Sequence, residues 1–291
     1  MADQVQDKSD SFISAQVQGP DVADNPDATN VQSVMPLAGL SDDEFAELAA
    51  SILMVIPHRS SEGIGAGICT HFGMWGRIGL RIATVKDPHG GFIEVTRGGI
   101  VQLFLETAWK TPELKYLVMC DNDQTIQWDA PLRLAQHGLP VVAGVVCGYN
   151  PERGIFACFT AKDENGIARF PSYRDTKFLP AEGLIEVEQT GTGLVCIRRD
   201  VLEVMREHNE EPFMIPEDIR KEGIRCGNIK KSEDICFSER VAKYGFSRYV
   251  DLSIHATHHK MVPIGWPADC IDENIRAIDW KPSAFDYKGV M

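Results

Sequence analysis

Short apolar runs recur along the middle of the chain, and each leads into a polar or glycine-containing turn. The runs at 52–56, 116–120 and 141–146 are continuous rather than alternating, which is typical of strands that are buried on both faces of a sheet. Residues 96–108 and 129–138, which lie between these runs, carry apolar side chains at helical spacing. This order of elements predicts an α/β protein with a mixed, mostly parallel sheet that is flanked by helices.

The pattern changes between residues 150 and 190. Apolar residues at 155–160 and 167–170 flank the polar turn 162–166, which favours a hairpin. Residues 184–189 alternate between apolar and polar positions, as a half-exposed strand does. We therefore expect a small antiparallel hairpin region in addition to the parallel strands.

Helix and strand signals also appear outside these two regions. Ser41 begins a capping-box pattern that predicts a helix over 42–50, and Ser232 is placed to cap a helix over 233–244. Two further strands are expected at 194–197 and 246–250.

The composition narrows the class of protein. The 291 residues carry a formal net charge of −13, which disfavours tight non-specific binding to nucleic acid. No apolar run approaches the ~20 residues that a membrane span needs, and no secretory signal pattern is expected at the start. The eight cysteines include no Cys-x-x-Cys pair, so we expect a protein of a reducing compartment, located in the cytoplasm.

Three regions are expected along the chain. Residues 1–38 are rich in Asp, Gln, Ser, Ala and Pro, which predicts a disordered or loosely docked acidic arm; a segment that orders on a partner subunit, as in a homo-oligomer, is the alternative. Residues 39–262 are expected to form the main folded domain. Residues 263–291 place aromatic side chains in polar surroundings, which predicts an extension that wraps over the surface.

The most informative stretch follows the strand at 116–120, where Asp121, Asn122 and Asp123 stand in a row. Ligands of open α/β sheets bind outside the carboxyl ends of the strands. Two carboxylates at such an end can hold a hard divalent cation, which in turn can hold phosphates. The alternative is a polar turn, because Asp and Asn are ordinary turn residues.

Three other motifs follow in chain order. A Gly-Thr-Gly sequence, 191–193, precedes a strand; Glu233 and Asp234 open a helix; and three histidines follow the last strand, at 255, 258 and 259. Each has a simpler interpretation by itself. The glycines suit a tight turn, the acidic pair suits a helix dipole, and the histidines suit a surface.

Basic residues mark two further positions. His58 and Arg59 stand at the end of the first strand, before the glycine-rich stretch 63–67. The spacing of those glycines does not match a dinucleotide-binding loop. Arg97 precedes the apolar helix positions, where it is either a phosphate-binding residue or a surface arginine.

Taken in order, the motifs resemble those of the GT-A fold glycosyltransferases, the nucleotide-sugar-dependent enzymes with a Rossmann-like sheet. The likeness extends over roughly residues 50–260 and is to family 2-like members of bacterial and viral type. It includes three sequences of the second half: Gly193-Leu-Val-Cys-Ile-Arg-Arg-Asp200, Pro212-Phe213 and Glu233-Asp-Ile-Cys-Phe237.

The resemblance implies a site for Mn²⁺ or Mg²⁺ that holds the diphosphate of a nucleotide sugar. Its ligands would be Asp121, Asp123 and one C-terminal histidine, with His258 favoured over His259 and His255. Aspartates with one imidazole suit Mn²⁺, whereas a shell of oxygen alone suits Mg²⁺.

The resemblance also implies roles for the other motifs. The residues expected to bind the donor nucleotide are Pro57, His58, Arg59, Arg97, Asp121 and Asn122. The loop expected to line the sugar and the acceptor consists of Gly191, Thr192 and Gly193. Glu233 and Asp234 are the candidates for a base that takes the proton of the acceptor hydroxyl, or for a positioning role if the reaction retains stereochemistry.

The predicted function is therefore metal-dependent transfer of a sugar from a nucleotide-diphosphate donor, with a UDP-sugar favoured over a GDP-sugar. The acceptor is open: a glycan, a small molecule, a protein or modified DNA. The basic residues between 220 and 231 would suit a DNA acceptor, although a solvated loop is the simpler interpretation. The alternatives are a sugar nucleotidyltransferase and a catalytically inert binding or structural protein of the same fold.

Overall fold

The computed structural model describes residues 16–18, 37, 39–59, 65–87, 93–150, 154–162, 165–171, 182–219 and 231–259. The predicted C-terminal extension, residues 263–291, lies outside these ranges, as do most of the predicted N-terminal arm and residues 220–230 of the basic segment. The three-region division therefore stays a prediction. No helix within the described ranges is both long enough and apolar enough to cross a membrane.

The strands and helices have the following bounds. The strands are β1 (Gln16–Gln18), β2 (Ile52–Arg59), β3 (Arg81–Asp87), β4 (Tyr116–Cys120), β5 (Gln124–Ile126), β6 (Val141–Asn150), β7 (Gly154–Ala157), β8 (Ala161–Lys162), β9 (Ala168–Arg169), β10 (Leu184–Val187), β11 (Leu194–Arg198) and β12 (Arg248–His258). The helices are α1 (Asp42–Ala50), α2 (Ala66–Cys69), α3 (Phe72–Arg77), α4 (Ile93–Lys110), α5 (Ala130–Gln136), α6 (Arg199–Glu207) and α7 (Glu233–Lys243).

A central mixed sheet organises the chain. Its order is β1-β3-β2-β4-β11-β6-β12-β10, with β5 paired to β12 and β7 paired to β6. Strands β3, β2, β4, β6 and β12 run in one direction, whereas β1, β11 and β10 run in the other. The short strands β8 and β9 form a separate antiparallel pair. The predicted α/β class, with a mostly parallel sheet between helices, is confirmed.

The sheet lies between two layers of helices because its strands are apolar on both faces. Leu53 and Val55 of β2 belong to a core with α4, α6 and α7, while Ile52 and Met54 belong to a second core with α1, α3 and α5. Burial of a side chain of this size contributes about 1.5–3 kcal/mol. The two cores therefore fix the sheet, and with it the strand ends that carry the predicted motifs.

Helix α4 begins earlier than the sequence pattern predicts. Its first residue is Ile93, so Thr96, the expected cap, lies inside the helix. The buried face of its first turns includes Glu94, Arg97 and Ile100, at a spacing of three residues. Two of these side chains are charged, and a pattern of apolar residues alone therefore misses this part of the helix.

Strand β12 is longer than predicted and runs through His258. Its pairing with β6 shifts register between Asp251 and His255, and such a bulge interrupts the alternation that identifies a strand in a sequence. His255 and His258 therefore lie within the strand and not beyond it. On the other side of the sheet, Gln16–Gln18 of the N-terminal region pair with β3 and form the edge strand β1.

Candidate active site

The Asp121-Asn122-Asp123 motif begins where β4 ends, and two neighbours hold its backbone. Asp121 N donates to Gly193 O at 2.8 Å, and His259 N donates to Asp123 O at 2.7 Å. The first bond comes from the glycine loop, residues 191–193, and the second comes from the end of the last strand. The backbone of the motif is thus held between two other predicted motifs.

Arg97 joins the aspartate motif to the acidic pair of α7. Its Nη1 donates to Glu233 Oε1 at 2.5 Å and to Asp234 Oδ1 at 2.6 Å, and its Nη2 donates to Asp121 Oδ1 and Oδ2 at 3.2 and 3.3 Å. The Arg97 side chain is only 4% exposed. One buried guanidinium therefore contacts three carboxylates, which lie 24, 136 and 137 positions away in the sequence. We call these four residues the Arg97 cluster.

The Arg97 cluster holds more negative than positive charge, and the pKa values reflect this. Burial by itself would lower the pKa of Arg97, but Asp121, Asp234 and Glu233 hold it above its ordinary value. Burial raises the pKa of Asp121, with Arg97 opposing and Asp234 adding to the rise. Burial also raises the pKa of Glu233, together with the charge of Asp234 and against that of Arg97. Carboxylates in this state favour an additional cation or hydrogen-bond donor.

The glycine loop contacts the same cluster. The hydroxyl of Thr192 donates to Asp234 Oδ1. A Cβ at Gly193 would lie 2.3 Å from Gln124 Nε2 and 3.2 Å from Asp121 Oδ2, so glycine permits the loop to approach the aspartate motif closely. The loop therefore touches both the residues predicted for the donor and those predicted for the acceptor.

His258 lies beside Asp123. Its Nε2 is 3.0 Å from Asp123 Oδ2, and its Nδ1 is 2.8 Å from the carbonyl oxygen of Cys147. A carbonyl only accepts, so Nδ1 carries a proton and a neutral ring presents a lone pair at Nε2. That lone pair faces a carboxylate oxygen, an arrangement that requires a proton or a metal cation between the two atoms.

The other two histidines have different neighbours. His255 Nε2 lies 2.6 Å from the carbonyl oxygen of Leu252, and His259 Nε2 lies 2.7 Å from Thr125 Oγ1. Of the three candidates, His258 has the side chain that contacts the aspartate motif.

The residues present fit a divalent cation whose coordination is completed by a substrate. No group of three or more His, Cys, Asp or Glu side chains within the described ranges is arranged to hold a metal ion. Asp123 and His258 lie side by side and could supply two ligands, while Asp121 contacts Arg97. Magnesium commonly binds proteins through one or two carboxylates together with substrate phosphates and water. Two protein ligands are therefore sufficient for a metal–nucleotide complex.

The predicted donor residues of β2 lie at the same sheet edge as the aspartate motif. Strands β2 and β4 are parallel neighbours, so their carboxyl ends adjoin. Pro57 is buried and His58 is half-buried. The backbone of Arg59 pairs with Asp87 of β3, and its side chain lies outside what the structure describes.

The glycine-rich stretch packs against the aspartate motif, a contact that sequence reasoning missed. Gly65 N donates to Asn122 Oδ1 at 2.5 Å. A Cβ at Gly65 would lie 2.2 Å from the backbone oxygen of Asn122, and one at Gly67 would lie 1.9 Å from Thr125 Oγ1. Because neither position has room for a side chain, the glycines permit this packing. The available signal was the position of these glycines after a strand, but their spacing does not match a dinucleotide-binding loop and predicted no partner for them.

The short helix α3 supports the residues after the motif. His71 Nε2 lies 3.0 Å from the carbonyl oxygen of Ile126, and Trp75 Nε1 donates to Trp128 O at 2.6 Å. The sequence pattern identified no element here.

Gln124 is a second site residue that the sequence did not indicate. It is 1% exposed, and neither polar atom of its amide has a hydrogen-bond partner among the described residues. A buried polar group left without a partner costs about 1–3 kcal/mol.

Comparison with known proteins identifies no family. No protein-family model matches the chain, and no curated protein matches it. Among solved structures, A197 from STIV is similar at 18% identity and a TM-score of 0.43, with 72% of this chain and 86% of that chain covered. GalNAc-T7 with UDP, GalNAc and Mn²⁺ is similar at 10% identity and a TM-score of 0.41, with 73% and 43% covered.

A third structure, of a protein from Bacillus anthracis assigned as a glucose-1-phosphate thymidylyltransferase, is similar at 12% identity and a TM-score of 0.36, with 70% and 69% covered. All three likenesses are weak, and the function proposed below is based on the site itself.

Proposed function

We propose that the protein is a metal-dependent glycosyltransferase of the GT-A fold, which transfers a sugar from a nucleotide-diphosphate donor, with a UDP-sugar favoured, to an acceptor hydroxyl. The observation that carries the proposal is the Arg97 cluster. It joins the aspartate motif to the acidic pair, and Thr192 and His258 bring the remaining two motifs beside them. Four motifs that are distant in sequence thus meet at one sheet edge, where ligands of α/β proteins bind.

On the donor side, Asp123 and His258 would hold Mn²⁺ or Mg²⁺. When bound, the cation would supply a Lewis acid that stabilises the charge developing on the leaving nucleoside diphosphate. The contact between His258 and the carbonyl of Cys147 orients the imidazole and sets its tautomer. Asn122 links the motif to Gly65, near the end of β2, where Pro57, His58 and Arg59 would contact the nucleotide.

On the acceptor side, we assign the base to Asp234. Its side chain is 28% exposed, against 13% for Glu233, so Asp234 is the better placed to reach an acceptor hydroxyl. Arg97 and the hydroxyl of Thr192 orient it. Glu233 acts as a neighbouring charge that completes the Arg97 cluster. Glycine at position 193 lets the loop lie against the aspartate motif, and glycine at position 191 lets it pack on Cys158.

Thermal unfolding with UDP, GDP, CDP and ADP, each with and without Mn²⁺, tests the proposal. We expect one base to raise the Tm, and mainly when metal is present, because a ligand at 100 times its Kd stabilises by about 2.7 kcal/mol. The double variant Asp121→Ala/Asp123→Ala should lose this shift and any donor hydrolysis. Asp129→Ala is the matched control, since its side chain makes no capping hydrogen bond at α5.

Three results would contradict the proposal. A double variant that still hydrolyses a nucleotide sugar and binds nucleotide with metal removes the role of the aspartates. Release of pyrophosphate from a nucleoside triphosphate and a sugar phosphate would identify a nucleotidyltransferase instead. Absence of a nucleotide-induced shift in the native protein would favour an inert binding or structural protein.

A further inference from the structure

Gln124 combines complete burial with an unsatisfied side chain. Within the described part of the chain, it is the residue whose buried side chain has two polar atoms, Nε2 and Oε1, without a hydrogen-bond partner. It directly follows Asp123 and stands opposite His258 in the pairing of β5 with β12. Directly paired residues of antiparallel strands project to the same face. The amide therefore belongs to the side of the sheet that carries the His258 imidazole.

The amide of Gln124 lies against the glycine loop and near Asp121. The point that a Cβ of Gly193 would occupy is 2.3 Å from Gln124 Nε2 and 3.2 Å from Asp121 Oδ2. Asp121 is held by Arg97 only through long contacts of 3.2 and 3.3 Å, whereas Arg97 contacts the two acidic residues of α7 at 2.5 and 2.6 Å. An unpaired amide and a weakly held carboxylate thus both lie beside Gly193.

A hydroxyl group is the chemical class that satisfies both side chains. A hydroxyl donates one hydrogen bond and accepts others, while the amide offers a donor at Nε2 and Asp121 offers acceptors. A cation would engage only the carboxylate and the amide oxygen and would leave Nε2 without an acceptor, and an anion would be repelled by the carboxylate. The pair is therefore selective for a neutral polar group.

We propose that Gln124 is a donor-recognition residue, whose amide and the Asp121 carboxylate together bind one hydroxyl of the nucleotide sugar. This inference rests on the proposed glycosyltransferase function and adds a specificity-determining residue to it. The hydroxyl belongs either to the ribose of the nucleotide or to the transferred sugar. Because Gln124 is covered by the glycine loop in the free protein, binding requires a rotation of the amide or a small shift of residues 191–193.

The test compares Gln124→Met with Gln127→Met. Methionine has nearly the size of glutamine without its polar atoms, and Gln127 is an exposed residue three positions further along the same segment. Thermal unfolding and calorimetric titration use UDP and UDP-glucose, and GDP and GDP-mannose, all with Mn²⁺. We expect Gln124→Met to unfold at or above the native Tm without ligand, since it removes unsatisfied polar groups, and to bind the ligand about tenfold more weakly.

Comparison of the nucleoside diphosphates with the nucleotide sugars distinguishes the two sources of the hydroxyl. A loss of affinity for the nucleoside diphosphate places the hydroxyl on the ribose, and a loss confined to the nucleotide sugar places it on the transferred sugar. Native affinity in Gln124→Met overturns the inference but leaves the proposed function intact. A fall in both Tm and affinity also overturns it, because the amide then has a structural partner such as a buried water. Absence of metal-dependent binding in the native protein overturns the proposed function, and this inference with it.

Discussion

Two clusters of polar side chains, one around the buried Arg97 and one around the buried Asp251, have opposite effects on the pKa of their carboxyl groups. In the Arg97 cluster, one guanidinium faces three carboxylates. In the Asp251 cluster, one carboxylate faces several donors: Ser253 Oγ at 2.5 Å, Ser253 N at 2.8 Å and His137 Nε2 at 2.9 Å, while Arg133 donates to Ser253 Oγ. The pKa values of Asp121 and Glu233 are raised. Burial would also raise the pKa of Asp251, but its hydrogen bonds hold it below its ordinary value.

We infer that the difference separates a site that is prepared for a ligand from one that serves the fold. Asp251 accepts hydrogen bonds from several donors, so its ionised form stabilises the bulge of β12 and leaves little capacity for a ligand. The three carboxylates of the Arg97 cluster share one guanidinium, so the folded protein holds their ionised forms at some energetic cost. Perturbed carboxylates of this kind are frequent where chemistry takes place. The following predictions separate the two clusters by activity, by stability and by pH.

Substitution of the proposed base should have the largest effect. Asp234→Asn keeps the shape and hydrogen bonds of the side chain but removes its basicity, so we expect kcat to fall by roughly 10²–10⁴-fold while the Tm changes little. Glu233→Gln should reduce kcat less. Single-turnover measurements with the donor identified by the nucleotide panel provide the comparison, and a larger loss in Glu233→Gln would move the role of base to Glu233.

Substitution of Arg97 should have the largest effect on stability. Arg97→Met leaves three carboxylates without their shared partner, and breaking a buried ion pair from one side costs about 3–5 kcal/mol. Arg97→Lys retains the charge but cannot span three carboxylates with a planar fork, so we expect a smaller loss of stability and a similar loss of activity. Urea unfolding measures both variants; wild-type stability in Arg97→Met would show that the cluster does not depend on its arginine.

A change in the Asp251 cluster should affect folding without affecting chemistry. Asp251→Asn replaces an oxygen that accepts hydrogen bonds with an amide group that donates them, which should cost about 1–3 kcal/mol. The kcat of the folded variant should equal that of the native protein. A selective loss of kcat with unchanged urea unfolding would reverse the roles that we give to the two clusters.

The smallest expected effect is a difference in the pH dependence of stability. Because the pKa of Asp251 is lowered on folding, its contribution to stability is present above its ordinary value, about 4, and is lost as the pH falls through the folded pKa. Glu233 has a raised pKa on folding, so its ionised form is unfavourable above the folded pKa, and this penalty disappears as the pH falls toward the ordinary value.

Asp251 and Glu233 are thus expected to change stability with pH in opposite directions. Measurements of the Tm of two variants, from acid to mildly alkaline pH, test this. Asp251→Asn should flatten the loss of stability at acid pH. Glu233→Gln should be more stable than the native protein at high pH, with the difference shrinking as the pH falls through the pKa of Glu233. Parallel pH profiles for both variants and the native protein would contradict the assigned shifts.

Local sequence signals predicted most of the fold and the position of the aspartate motif. The apolar run at 116–120 forms β4 with the same bounds, because a strand that is buried on both faces has apolar side chains at consecutive positions. Ser232 caps α7 by accepting from Ile235 N, a contact within one helical turn. Signals of this kind depend only on near neighbours, so a sequence is enough to find them.

Local sequence signals did not predict the contacts of Arg97. Of its two predicted roles, the surface position is wrong, because Arg97 is buried against three carboxylates, one that follows β4 and two of α7, while the phosphate-binding role stays a prediction. A charged residue on the buried face of a helix breaks the apolar pattern, and its partners are more than 100 positions away in two of three cases. Gln124 and the packing of Gly65 are similar, since no local spacing encodes them.

The sequence by itself determined the main strands and helices, the burial of the central strands on both faces and the four motifs, because each depends on short-range periodicity, capping or composition. The tertiary structure alone decided which motif residues touch. The antiparallel pairing of β4 with β11 sets Asp121 beside the glycine loop, and the length of β12 sets His258 beside Asp123. Contacts among distant residues follow from chain topology and from the packing of helices on the sheet, and these are properties of the whole fold.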